Sequence, residues 1–296
     1  MLINQANLTA TQIGFRTIFA QALEAFSVPE IEQLAMSVPS TSAKEQYKWV
    51  GALPVMKEWL SDAAFEKLNA LSWEIVNKTW QAGLEVDRED LEDDNLRLLT
   101  PASQTLAQEA KRHPLALLAD LLNNGFTAKG YDGQYFFDTD HKDADETAQA
   151  NAITTALSAT SYGTLRAAMR NIKDYKGRPL NIMPTHLVTG PALEATAKKI
   201  VSQELTGNGE SNVNFGTAKL ITTPYITSAT AWFLLDLSRA IKPLVLQTRR
   251  SPEFAAQDQP DDEQAFMRKK YRYSVTARYN AGYGLWQLAA GSTGAS

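Results

Sequence analysis

The strongest constraint on this chain sits near its C-terminal end, in FMRKKYRYSVTARYNAGYGLW at 266–286. Tyr271, Tyr273, Val275 and Ala277 occupy every second position, and Lys270, Arg272 and Ser274 fill the positions between them. Successive side chains of a strand point to opposite faces of its sheet, so this spacing gives one apolar face and one basic face. Tyr279 and Tyr283 extend the apolar set, and AGYG at 281–284 is expected to permit a bend or a bulge. Such a strand has to find partners, cover its tyrosines and settle its positive charge.

Basic residues interleaved with aromatics also occur in proteins that bind single-stranded nucleic acid. The totals weigh against that use here: 29 Lys and Arg against 33 Asp and Glu leave a formal charge of −4, whereas sequence-independent affinity needs a clustered excess of cations. A local partner for the basic face exists at 85–94, where EVDREDLEDD is densely acidic. The 296 residues suffice for one large domain or two modest ones. The absence of cysteine excludes thiol catalysis, thiolate metal sites and disulfides. The first residues lack the basic and apolar regions of a secretory signal, and no run of about 18 apolar residues occurs, so a soluble protein without a membrane role is expected in the cytoplasm of its producer.

Upstream, Phe15, Ile18, Phe19, Ala22, Leu23 and Phe26 recur at three- and four-residue intervals, which predicts a helix over 13–26 with one apolar face. EIEQLAMSV, ending at Pro39, reads as a second short amphipathic piece, and PSTSAKEQ as a flexible connection. This segment is too small for a core of its own and needs a partner surface, in the same chain or on another copy. Residues 47–94 carry β-favouring Trp, Val, Ile and Tyr around a helical SDAAFEKLNAL, which predicts a β excursion with a short helix at its tip. Its tryptophans, Trp49, Trp59, Trp73 and Trp80, are either local core or anchors for another subunit.

The clearest helix is TPASQTLAQEAKRHPLALLADLLNNGF, with Thr100 as its cap, Pro101 at its first position and Asn124–Gly125 ending it. It would span roughly 35 Å at about 1.5 Å per residue, with Pro114 expected to kink or split it. GYDGQYFF then predicts a turn and a short aromatic strand, and 145–174 a helical tract that aligns Tyr162, Leu165, Met169 and Ile172. LNIMPTHLV, KLITTPYI, AWFLLDL and IKPLVLQ read as strands, PALEATAKKIVSQEL as a helix, and TGNGESNVNFG as an exposed polar loop. Strands scattered among helices without regular βαβ alternation favour an α+β fold.

Chemistry is sparse. DTDHKDAD gathers Asp138, Asp140, His141, Asp143 and Asp145, but it lacks the turn glycine and terminal glutamate of a calcium loop, and a solvated acidic loop is the plainer reading. His113 and His186 stand alone, and no nucleophile elbow, phosphate-binding loop or zinc-protease motif is present. No catalytic residue, cofactor or metal site is assigned. A metal-assisted hydrolase built on Asp140 and His141 and a nucleic-acid-binding module remain as alternatives.

DDEQAFMRKKYRYSVTARYNAGYGLWQLA resembles the C-terminus of the Mu-like phage major head subunit (gpT) family, with Ser274 in place of a usual glycine and Thr276 in place of an acidic residue. WVGALPVMKEW, IVNKTWQAGLEVDREDLEDD, GYDGQYFFDTDH, YGTLRAAMRNIKDYKGRPLNIMPTHLVTG and AWFLLDLSRAIKPLVLQTRRSPEF extend the resemblance in order along the chain. It implies the Hong Kong 97-type (HK97-like) capsid fold. On that template 1–45 is an N-terminal arm, 46–94 an extended β loop and its base, 95–149 a peripheral domain with a spine helix at 97–124, 150–235 an axial domain, and 236–296 the return strands of the peripheral domain.

The same resemblance implies a major capsid protein, assembling as a homo-oligomer of hexamers and pentamers into an icosahedral shell. The shell would enclose double-stranded DNA without sequence-specific binding, with portal, scaffold and maturation protease as assembly partners. Its place would be the virion, after assembly in the host cytoplasm; an encapsulin-like compartment is the alternative within the fold. Intersubunit contacts are expected from Phe15, Ile18, Phe19 and Phe26 on the arm and from Trp59, Phe65 and Leu68 at the loop tip. Arg268, Lys269, Lys270 and Arg272 are expected to face Glu85, Asp87 and Asp90, within a subunit or across an interface.

Overall fold

The computed structural model describes residues 16–50, 70–87, 89, 96–142, 148–174, 177–257, 262 and 267–295. Two sheets share one hydrophobic core. The first is four-stranded: β1 (Ala35–Pro39), β4 (Lys78–Asp87), β11 (Leu244–Gln257) and β12 (Lys270–Tyr283), in the order β1-β11-β12-β4. β12 runs antiparallel to both β11 and β4, and β1 adds in parallel to the near half of β11. Tyr271, Tyr273, Val275, Ala277 and Tyr279 are at most 5% exposed, while the residues between them are only half-buried.

The long helix α3 (Leu96–Asn124) covers the apolar face of β12. Ala107 packs with Val275, the Tyr279 hydroxyl lies 2.8 Å from His113 Nδ1, and the Tyr283 hydroxyl donates to the Leu121 carbonyl at 2.8 Å. Burial pushes both tyrosine hydroxyls well above their ordinary range and that of His113 down, so all three stay neutral near pH 7. The helix is already formed at Leu96, so Thr100 is not its cap and Pro101 lies inside it; nor does Pro114 split it. An internal proline costs a helix about 3 kcal/mol, but Leu115, Leu118, Ala119 and Leu122 are all buried in the shared core and hold the continuous form.

Helix α1 (16–25) lies against the same body. Phe19 is buried with Ala107 and Val275, its ring 5.4 Å from that of Phe254, and the Arg112 guanidinium sits over the Phe26 ring. The partner surface for Phe19 is therefore in the same chain. EIEQLAMSV divides into helix α2 (Pro29–Leu34) and β1, because pairing with β11 wins over helical spacing from Ala35 onward.

After α3, β5 (His141–Lys142) and β6 (Ala148–Gln149) form a short antiparallel pair of their own. The second sheet has the order β7-β13-β10-β8-β9, from β7 (Ala152–Ile153), β8 (His186–Thr189), β9 (Lys219–Thr222), β10 (Trp232–Leu235) and β13 (Ala289–Ser292). Central β10 is buried at all four positions. Helix α4 (Ala159–Arg170) packs on β13, and helix α5 (Glu194–Val201) on β8 and β9. Tyr162, Leu165, Met169 and Ile172 are buried as their spacing predicts, but the expected helical tract over 145–174 is cut down to α4, since Ser158 caps it and 152–153 is drawn into the sheet.

The chain leaves β12 through a 3₁₀ turn at Trp286–Leu288 and completes the second sheet as β13. Aromatic rings fill the junction: Phe136 stacks on Tyr283 at 4.3 Å, and Phe137 on Phe233 at 5.3 Å. Phe136 and Phe137 form no strand; Gly130 and Gln134 close a tight turn that delivers both rings to the core. The glycines at the end of β12, Gly282 within it and Gly284 just beyond, serve close approach, and the register shifts lie in β11, between Thr248 and Glu253. A Cβ on Gly282 would stand 2.5 Å from Ile75 Cδ1, and one on Gly284 2.3 Å from the Lys242 carbonyl.

Gly284→Ala is expected to destabilise the chain by about 1–3 kcal/mol through overpacking against backbone that cannot yield. Gly163, inside α4, would bring its Cβ into open space, so Gly163→Ala is expected to stabilise by about 0.5–1 kcal/mol. Denaturant unfolding of the two variants checks both signs.

Candidate functional site

Three surface features stand out. The first is the ion-pair row between β12 and β4. The register sets Lys270 opposite Asp87 and Arg272 opposite Glu85. Glu85 accepts from Lys270 Nζ at 2.5 Å and from Arg272 Nε at 2.8 Å; Lys270 also lies 4.0 Å from Asp87, and Lys269 3.4 Å from Glu89. Lys270, then Arg272, holds the Glu85 carboxyl below its ordinary range, and Glu85 raises Lys270. These groups are exposed and screened, so the row specifies register more than it adds stability. A one-residue slip would break the row and turn the buried tyrosines outward. Arg268 is exposed; Asp90 lies outside the described residues.

The second feature is the root of the hairpin formed by β2 (Lys44–Val50) and β3 (Ala70–Val76). The connection from β1 is not the flexible linker expected from its composition. Glu45 Oε1 accepts from Ser40 Oγ at 2.9 Å, from the Thr41 and Ser42 N–H groups at 3.0 and 3.1 Å, and from Ser42 Oγ at 3.0 Å. Asn77 Nδ2 closes the turn from the far side, donating to Ser40 Oγ at 2.8 Å and the Ser42 carbonyl at 2.9 Å. The bond from Ser40, followed by those from Thr41 and Ser42, holds the Glu45 carboxyl below its usual range. Tyr47 donates to Gln247 at 2.9 Å, and Gln247 in turn to the Ile75 carbonyl at 3.2 Å, so the hairpin root is bolted to β11. Trp59, Phe65 and Leu68, expected at the tip, lie outside the described residues, as does Phe15 of the arm; Ile18 and Phe26 are half-buried.

The third feature has no counterpart in the sequence expectations. The loop after α5, expected to be polar, exposes Leu205, Val213 and Phe215, which are 57%, 88% and 49% exposed. It is nonetheless built to hold one shape. Asn212 Nδ2 donates to the carbonyls of Lys199, Ile200 and Gln203, Leu205 bridges Ser211, and Thr217 meets the buried Tyr162 hydroxyl at 2.7 Å. Apolar residues without helical or strand period inside a glycine-rich loop were the available signal.

Among its described residues the acidic stretch forms no ion site. His141 turns inward and is fully buried, while Asp140 stays exposed; Asp143 and Asp145 lie outside the described residues. Among the described residues no group of three or more His, Asp or Glu is arranged to hold a metal, and no helix is long and apolar enough to cross a membrane.

The model of the family described as Mu-like prophage major head subunit gpT matches residues 8–156, 148–226 and 227–295. The chain belongs to that family. It is a major capsid protein of the Mu-like kind. Over 277 residues, 94% of this chain and 70% of the relative, it is 31% identical to the Mu-like prophage FluMu major head subunit of Haemophilus influenzae. It is 29% identical to the major capsid protein of Escherichia phage Mu over 289 residues, 98% of this chain and 74% of that one. A chain from the procapsid of bacteriophage JBD30 matches with a TM-score of 0.64 at 30% identity, covering 98% of this chain and 76% of its own. A chain of the JBD30 capsid matches at 0.60 and 25% identity, covering 77% and 100%. The α+β architecture is thus the HK97-like capsid fold.

Because Glu45 is held ionised by its bonds, the turn is intact above the ordinary carboxylate range of about 4.3 and loosens as pH falls through the lowered folded value. Glu45→Ala is expected to remove hydrogen-exchange protection from the Thr41 and Ser42 amides at pH 7, where the parent chain keeps it. Equal protection in both would show that the carboxylate does not hold the turn.

Proposed function

We propose that the chain builds the phage head by tiling with copies of itself, in rings of six and of five that close into an icosahedral shell around packaged double-stranded DNA. The observation that carries this reading is the rigid, wet apolar loop at Leu205, Val213 and Phe215. A free subunit gains nothing by stiffening three apolar side chains in water, whereas a neighbouring copy that covers them recovers roughly 25 cal/mol for each Å² buried. The ring contact would be heterologous, with one patch meeting a different surface on the next copy. The relatives' descriptions as head and capsid subunits support the same conclusion.

In this reading 1–45 is the arm, 46–94 the extended loop and its base, and 150–235 the axial domain near the ring centre; of the 236–296 return, expected wholly in the peripheral domain, β13 instead pairs with β10 in the second sheet. The loop tip around Trp59, Phe65 and Leu68 would reach an adjacent ring, and the arm, seated on its own body through Phe19, would contact neighbours through Phe15, Ile18 and Phe26. The Glu85 row would keep the base of the loop in register under load. Portal, scaffold and maturation protease would act during assembly in the host cytoplasm, and the finished shell would be part of the virion. A formal charge of −4 suits a wall that contains DNA without gripping it. No step calls for catalysis.

Electron microscopy of the purified full chain tests the reading. The parent is expected to form rings or shells, and V213D/F215D to keep its unfolding midpoint while losing them. Normal shells from that variant would refute the loop as a ring contact, and a parent that stays monomeric at high concentration would refute tiling itself.

A further inference from the structure

A buried imidazole joins the two sheets where β12 gives way to β13. The His141 ring lies flat on the Trp286 indole, with centroids 3.9 Å and planes 4° apart. Its Nδ1 stands 2.6 Å from Asp132 Oδ2, whose side chain is only 8% exposed, and its Nε2 stands 3.1 Å from Asn151 Oδ1.

The Asn151 amide admits one orientation. Its Nδ2 donates to the carbonyls of Phe136 at 2.8 Å, Ala289 at 3.1 Å and Trp286 at 3.3 Å, and its Oδ1 accepts the Asp138 N–H at 2.8 Å. Turning the amide over would set an oxygen against three carbonyls and an amino group against an N–H. Asn151 Oδ1 is therefore an acceptor, so His141 Nε2 carries a hydrogen. At the other nitrogen, two lone pairs cannot meet at 2.6 Å without a proton between them. Asp132 Oδ1 also accepts the Gln134 N–H at 3.3 Å, which favours the ionised acid, and the indole face favours a cation over it.

We propose that His141 is a doubly protonated imidazolium at neutral pH, paired with the Asp132 carboxylate as a net-neutral clasp between the exit of α3 and the β12–β13 connection. Losing the proton leaves a buried carboxylate against a bare nitrogen. Among the described residues few other charges lie beside it in the chain or on the elements it meets. Asp138 turns its carboxylate to the Tyr135 and Thr139 N–H groups, Asp140 and Lys142 flank His141 and are exposed, and β7, the 3₁₀ turn and β13 contribute no charged side chain. Asp143, Asp145 and Glu146 follow in sequence, outside the described residues.

The chain has 3 histidines, so ¹⁵N-histidine labelling of the full chain, in solution or in assembled particles, gives few imidazole signals, and H141Q identifies those of His141. Both of its ring nitrogens are expected to be protonated at pH 7. His113 and His186, which burial drives toward the neutral ring, should each show one bare nitrogen. A bare nitrogen on His141 at pH 7 overturns the proposal. Asp132→Asn keeps a neutral acceptor for the ring and needs no charged partner, so His141 of that variant is expected to show one bare nitrogen at pH 7. A ring that still carries both protons in that variant also overturns it; should the variant fail to fold, the ring signals of the parent decide.

Discussion

The structure depends on β12 having two different faces. With β11 on one side and β4 on the other, its backbone is fully engaged, so its side chains alone decide what lies above and below it. The tyrosine face takes α3 and, through Phe19 and Val275, α1. The basic face meets the acids of β4 and stays in water. At its end, glycines too crowded for a Cβ let the strand pass under Ile75 and against Lys242, and the chain then crosses into the second sheet. One strand therefore positions the long helix, the root of the β2–β3 hairpin and the junction between the sheets.

The two faces of that strand were legible because their information is local, a period of two over eight residues; the partner of its charge lies 185 residues away and was legible only as the densely acidic run at 85–94. The buried set of α4 was legible for the same reason. Pro101 and Pro114 misled because helix propensity is a local quantity, and the burial of Leu115, Leu118 and Leu122 that overrides it is not. Ala35–Pro39 became a strand only because the distant β11 had an edge to offer. The serines at 40 and 42 look flexible until Glu45 gathers them. His141 sat among aspartates and read as solvated; the residues that claim it, Asn151 and Trp286, are brought to it by the fold alone.

A body of this kind suits work as a tile. Its core is continuous across both sheets, so load on one is carried by the other rather than by a hinge between them. The connection expected to flex is instead tied at both ends, by Glu45 and Asn77 on one side and Gln247 on the other. Compliance, if shells are to close around rings of different number, would then belong to the contacts between copies. Contacts that are individually weak and collectively strong permit misplaced copies to leave before closure.

Hydrogen exchange followed by mass spectrometry on free subunits and on assembled particles tests the central claim most directly. The account predicts that amides around Leu205, Val213 and Phe215 gain protection on assembly, while β12, already sealed within the subunit, changes little. Unchanged exchange in that loop, with new protection confined to β12, would contradict it.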